Sequence, residues 1–208
     1  MDKIINDSGW RGSRDLWLDA AYEVLLEAGV GSVKIQVLAK TLNLSRTSFY
    51  WFFKDREDLL EALVARWRDK NTGNLIGQSE AYAETVTEAM LNVFDCWLDS
   101  SLFDSPFEFA IRSWALQSSD IQDEVRKADT QRLEALSRMF LRFGWSQEHA
   151  DVRARTIYLT QIGYISMQTQ EDKAVRMDRI PNYVEIFTGR LPEQREMDRF
   201  RARHTDKK

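Results

Sequence analysis

Cysteine is almost missing from this chain: of 208 residues, only Cys96 carries a thiol. No intrachain disulfide can form, and four-cysteine zinc sites are excluded. Long apolar runs are absent too. The longest spans a few residues, far short of the ~20 that a membrane-crossing helix needs. The opening Met1-Asp2-Lys3-Ile4-Ile5-Asn6-Asp7 lacks the basic-then-apolar pattern of a secretory signal. The expectation is a cytoplasmic protein without a membrane partner. Histidine is scarce: His149 and His204 have no HExxH, no Cys–His spacing and no Glu-x-x-His pair around them, and the chain has no glycine-rich phosphate loop. An all-helical enzyme has little to work with here, so no catalytic residue, metal or cofactor is expected. Cys96 lies beside Trp97 in an apolar stretch and reads as a small buried residue.

Three prolines and nine glycines leave few breaks, and neither an alternating strand pattern nor an internal repeat is present. The apolar share of 43% is ample for packed cores, so the expected fold class is all-α. Ser13 to Ala28 reads as an amphipathic helix capped by Ser13, with Leu18, Ala21, Val24, Leu25 and Ala28 on one face and Gly29 and Gly31 ending it. A short helix carries Ile35, Leu38, Ala39 and Leu42, and Asn43-Leu44 connects it to another from the Ser45 cap to about Phe52. Asp55 caps a fourth, Arg56 to about Asn71, with Leu59, Leu60, Leu63, Val64 and Trp67 inward. Further helices are expected over 80–100, 106–118, 120–143 and 146–169. Pro181 and Pro192 read as first turns and Gly189 as a stop.

The net charge of −4 argues at first against a nucleic-acid partner, but its distribution argues the other way. From Gly31 to Lys54 there are four basic residues (Lys34, Lys40, Arg46, Lys54) and no acidic one. Over residues 1–70 the charges balance, so the negative excess falls on the other 138. A local basic strip on an acidic body fits specific DNA binding better than general phosphate coating.

That strip, IQVLAKTLNLSRTSFYWFFK from Ile35 to Lys54, meets the needs of a helix-turn-helix position by position. Ala39 is small where two helices cross, and four residues on Asn43 tolerates the positive φ of the turn. Leu38, Leu42, Leu44, Phe49 and Phe52 supply the core. Ser45, Arg46, Thr47, Tyr50 and Trp51 are left on the outer face, with groups suited to base edges and phosphates. The competing reading makes the whole aromatic run core. It is adopted for Phe49, Phe52 and Phe53, and not for Tyr50 and Trp51.

The stretch LAKTLNLSRTSFYWFFKDREDLL, Leu38 to Leu60, with the helix before it and the total length, resembles the TetR/AcrR family of transcriptional regulators. The resemblance implies a three-helix DNA-binding domain over 10–56 and a helical ligand-binding and dimerisation domain over 57–208. It implies that Ser45 caps the recognition helix, that Arg46 and Thr47 reach bases, and that Tyr50, Lys54 and Lys34 hold phosphates. Trp51 shares the DNA-facing surface, and Arg11 or Arg14 would reach a neighbouring phosphate or the minor groove. Two positions depart from the family pattern: Asn43 replaces the common turn glycine, and Phe52 a polar residue. The partners implied are a palindromic double-stranded operator, a second copy of the chain and a small-molecule effector, with repression as the usual mode.

In the second domain Arg112-Ser113-Trp114-Ala115, Asp129, Arg132, Gly144, Ala150 and Ala154 resemble architectural features of the same family. Candidate effector contacts are Phe94, Trp97, Phe107, Trp114 and, as anchor for an anionic group, Arg112. The alternative is that these aromatics are core and that Arg112 pairs with Asp129 or Asp120. The resemblance places dimerisation on 146–169 and the segment after Met177. Gly163 and Ser166 would allow close approach, and Ile157, Ile162, Ile165 and Tyr183 would fill the centre. Whether Tyr158 or Leu159 faces the subunit's own core stays open. An effector entering beyond residue 75 would shift the fourth helix through Trp67 and Leu63 and so change the spacing of the recognition helices. A helical adaptor is the remaining rival, and it leaves the acid-free strip unexplained.

Overall fold

The structure, a computed structural model, describes residues 12–205. Among them are eleven α-helices and no strand, and no helix is long and apolar enough to cross a membrane. The chain divides into two compact units, Met1–Arg66 and Trp67–Lys208.

The first unit begins with α1 (Arg14–Ala28), where the Ser13 hydroxyl accepts the Leu16 N–H at 3.1 Å. Its inner face is Trp17, Leu18, Ala21 and Leu25, while Ala28, expected inward, is exposed. The fully buried Trp17, absent from the expected set, lies on the same stripe four residues before Ala21, and its ring meets that of Phe49 edge to face at 5.4 Å. Next come α2 (Ile35–Thr41), α3 (Arg46–Phe49) and α4 (Arg56–Trp67). The start of α4 is capped reciprocally: Asp55 accepts the Asp58 N–H, and Asp58 accepts the Lys54 N–H, each at 2.9 Å. Arg56 donates to the carbonyls of Val33 (2.6 Å) and Val30 (2.8 Å), which ties this end to the loop after α1.

The turn between α2 and α3 depends on Asn43, whose φ of 52° lies in the left-handed region. Only there can the chain reverse while Leu44 donates to the Ala39 carbonyl at 2.9 Å.

The second unit opens with Trp67 and a wide π-helical turn, Arg68–Gly73, where α4 was expected to continue to about Asn71. The wider turn puts two consecutive polar residues, Asn71 and Thr72, into the interior. Then follow α5 (Asn74–Glu80), α6 (Val86–Leu98), α7 (Ser105–Ala115), α8 (Ser119–Arg142), α9 (Gln147–Ser166), α10 (Lys173–Thr188) and α11 (Gln194–His204). Every residue of α6 from Val86 to Trp97 is buried except the half-buried Glu88, so α6 is the axis around which α5, α8, α10 and α11 pack. It starts only after the Thr85 cap, six residues later than the 80–100 expectation.

Pro181 does not open a helix: α10 is capped by Asp172 and carries the proline in its interior. Pro192 also falls outside a first turn, since Glu193 is the cap of α11 and Glu193 and Glu196 form its capping box. Gly189 ends α10 at φ 71°, as expected.

At the centre of this unit, Glu108 and Arg132 are both completely buried and joined by two bonds, 2.7 and 3.1 Å. Glu108 also accepts from Arg112 Nε (2.9 Å), Trp67 Nε1 (2.7 Å) and Asn71 Nδ2 (2.9 Å). Arg112 pairs with Asp129, whose carboxylate accepts the Tyr158 hydroxyl at 2.6 Å. Two guanidiniums and two carboxylates cancel, so the cluster is neutral. Burial alone would raise the Glu108 pKa, but the facing Arg132 and Arg112 more than reverse this and hold it down to about 2.

Two outcomes follow. Removing one member of a buried pair leaves the other charge uncompensated, so Arg132→Met should cost about 3–5 kcal/mol in urea unfolding. At the turn, Asn43→Ile should cost about 1–2 kcal/mol for a β-branched residue in the left-handed region, whereas Asn43→Gly should leave stability nearly unchanged. The check on the turn is a thermal melt of both variants.

Candidate functional site

The outer surface of the helix-turn-helix is built by local rules. The Ser45 hydroxyl accepts the Ser48 N–H at 3.2 Å and sets where α3 begins. Helical bonding then runs only from Arg46 to Phe49. The Phe52 N–H closes a tighter bond to the Phe49 carbonyl at 3.0 Å, so the helix is shorter than the reach to Phe52 read from the sequence. Phe49 and Phe53 turn inward and are buried, and Phe52 is half-buried. Their neighbours turn outward: Tyr50 is 58% and Trp51 62% exposed. Ser45, Arg46 and Thr47 are exposed beside them.

Lys54 is exposed just after this run, and Lys34 is exposed at the N-cap of α2. All seven candidate DNA contacts are therefore solvent-facing, and they come from one continuous stretch of 21 residues. Arg14 stacks over Phe53 at 4.9 Å, and Arg11 lies outside the described residues. Two features are added by the fold. Val37 on α2 is 39% exposed, and Ser48, polar in sequence, is buried against the cap with its hydroxyl 3.0 Å from that of Ser45.

The five candidate effector contacts are not brought together. Phe107 is fully buried. Trp114 is half-buried near the end of α7. Arg112 is held by Glu108 and Asp129 and also donates to the Tyr158 hydroxyl at 2.8 Å. Phe94 and Trp97 meet edge to face at 5.1 Å and line a narrow cleft with residues of α9 and α10. Arg176, Gln161 and Tyr164, which no sequence signal singled out, line the same cleft. Cys96 is buried nearby in α6, and burial pushes its thiol up to about 12, so it stays protonated and unreactive.

On α9, Ile157 and Ile165 are buried in the subunit's own core, which corrects their assignment to a dimer centre. Their i, i+8 spacing keeps them on the inward stripe. Ile162 and Tyr183 are half-buried against the same core, and Gly163 is half-exposed. Tyr158 faces inward, whereas Leu159 is 62% exposed. Leu159, Val152 (61%) and Ile186 (70%) are exposed apolar side chains of α9 and α10, as is Val175 near the start of α10.

Residues 18–63 match the family model of bacterial regulatory proteins, tetR family. Three solved structures share the fold at low sequence identity. A transcriptional regulator of the AcrR type from Aquifex aeolicus VF5 is 14% identical at a TM-score of 0.65, over 84% of this chain and 99% of its own. The fatty acid degradation regulator FadR from Bacillus halodurans is 15% identical at 0.61, over 88% and 96%. The TetR-family regulator PfmR from Thermus thermophilus is 18% identical at 0.60, over 88% and 98%. The helix-turn-helix part of the chain, with its acid-free outer face, is thus similar to the DNA-binding part of the tetR family of bacterial regulatory proteins, and the chain as a whole shares the fold of the regulators named above.

Proposed function

We propose that the chain represses transcription as a homodimer on a palindromic operator and is released when a small molecule binds its second unit. DNA contacts are assigned to residues 10–56, and effector binding and dimerisation to residues 57–208. The observation that carries the DNA-binding half is the exposed set Ser45, Arg46, Thr47, Tyr50 and Trp51, with Lys34 and Lys54 at its flanks and no acidic residue from 31 to 54. In this reading Arg46 and Thr47 meet base edges in the major groove, where a bidentate Arg–guanine contact is worth ~1–3 kcal/mol. Tyr50, Lys34, Lys54 and the Ser45 cap hold phosphates and fix the register, and Trp51 packs beside them.

A recognition helix this short reads only a few base pairs. Two copies related by a two-fold axis, on half-sites ~34–36 Å apart, multiply the contacts. Val152 and Leu159 lie seven residues apart on one stripe of α9 with Thr156 and Gly163, and Ile186 is exposed on α10. This supports a self-complementary contact between those helices, with Gly163 permitting close approach. Release needs only an effector that binds the two half-site spacings with different affinity, a coupling typically of ~1–3 kcal/mol.

Selection from genomic fragments with purified protein tests the first claim. The expected winner is a palindrome whose affinity falls steeply with salt and drops about 5- to 150-fold in Arg46→Ala. Absence of enrichment, with or without added cell extract, would sink it. Sedimentation tests the second: Leu159→Glu and Ile186→Glu should shift dimer to monomer and weaken operator binding without loss of helicity. A variant that remains dimeric would place the contact elsewhere.

A further inference from the structure

The cleft between α6, α9 and α10 combines an apolar lining with a cation that nothing neutralises at close range. Phe94, Trp97, Ile157, Ile180 and Phe187 form its walls. The free space within it is about 20 Å³, room for little more than one water, so a ligand ring can enter only as these wall side chains part. At one side the half-buried Arg176 holds its guanidinium 5.3 Å over the ring of Tyr164 and donates to Gln161 Oε1 at 3.2 Å. Among the described residues no carboxylate lies within ion-pair distance of it. Glu171 acts on it from further away, but Glu171 is itself bonded to Arg179, so these three groups carry one net positive charge. The buried Arg112 and Arg132, by contrast, face Glu108 and Asp129 directly.

A guanidinium removed from water gains most from a bidentate carboxylate, and the geometry of the fork matches that partner. Burial lowers the Arg176 pKa from its ordinary value, which is the cost a bound anion would offset. The Tyr164 and Tyr183 hydroxyls, bonded to each other at 2.8 Å on the lining, offer further polar contacts. The aromatic walls favour a flat apolar body.

We propose that this cleft is the effector site and takes a small, flat organic acid whose carboxylate pairs with Arg176, an assignment that rests on the ligand-responsive reading above. Arg112 is committed to the interior and does not serve as the anionic anchor. Calorimetry with benzoate and 2-naphthoate, each against its neutral amide, tests the pairing. At least one acid should bind once per subunit and at least tenfold tighter than its amide, and Arg176→Gln should abolish the preference while Arg176→Lys keeps part of it. Thr160→Trp, which places an indole in the lining, should block acid and amide alike, and it serves as the check if Arg176→Gln does not fold.

Equal affinity for acid and amide would overturn the proposal. So would a preference that survives Arg176→Gln, or no binding at millimolar concentration. Operator affinity measured with and without the acid separates the two levels. An acid bound at Arg176 that leaves operator affinity unchanged keeps the site and removes ligand release as its purpose. Operator release by some other small molecule, without binding of these acids, removes the site and keeps the regulatory reading.

Discussion

A carboxylate taken out of water must recover several kcal/mol from its surroundings, and Glu108 is taken out completely. It recovers that energy by accepting from Trp67, Asn71, Arg112 and Arg132, which belong to different segments of the second unit. Each donor must be in place for the others to be worth their own burial. The interior of the unit is therefore specified by polar geometry as well as by apolar volume. The π-helical turn belongs to the same requirement, because it delivers Asn71 and Thr72 together: Asn71 meets Glu108, and Thr72 accepts from Arg132 Nε at 2.9 Å. Tyr158 completes the set. Burial raises the pKa of its hydroxyl, so it stays neutral and can donate to Asp129 while accepting from Arg132 at 2.9 Å.

That cluster has a consequence for ligand recognition. An arginine already satisfied by two carboxylates would have to break those bonds to accept a ligand anion, and the unpaired carboxylates would oppose the exchange. The cleft beside Phe94 and Trp97 is lined by other residues than this cluster, and its charge comes from Arg176. In the first unit charge is arranged oppositely. Acids are kept out of residues 31–54 and return at Asp55 and Asp58, where they cap α4. Carboxylates, which would repel phosphate on the surface proposed to face DNA, stabilise a helix start a few residues later.

Much of the first unit was legible in the chain, because its rules act over four residues or fewer. The Ser13 and Ser45 caps, the positive φ at Asn43 and the outward placement of Tyr50 and Trp51 follow from cap chemistry and turn sterics. What escaped depended on partners distant in sequence. Trp17 shares the stripe of Ala21 and Leu25, but the ring it meets there, Phe49, comes 32 residues later. The start of α10 carried no apolar period, so Pro181 was mistaken for the first turn of a helix that Asp172 had already opened.

The sequence by itself determined that the chain is helical, that its N-terminal part is a helix-turn-helix, and which residues that motif turns outward. Those properties are decided by the period, the caps and the local absence of acid. Only the tertiary structure decided which charges are interior, that Ile157 and Ile165 belong to the subunit's own core while Leu159 does not, and that Arg176 rather than Arg112 faces a cleft. Glu108, Arg132 and Tyr158 each lie more than twenty residues from the next. Periodicity can say that such a side chain lies on one face of a helix, but not what the other helices bring to meet it.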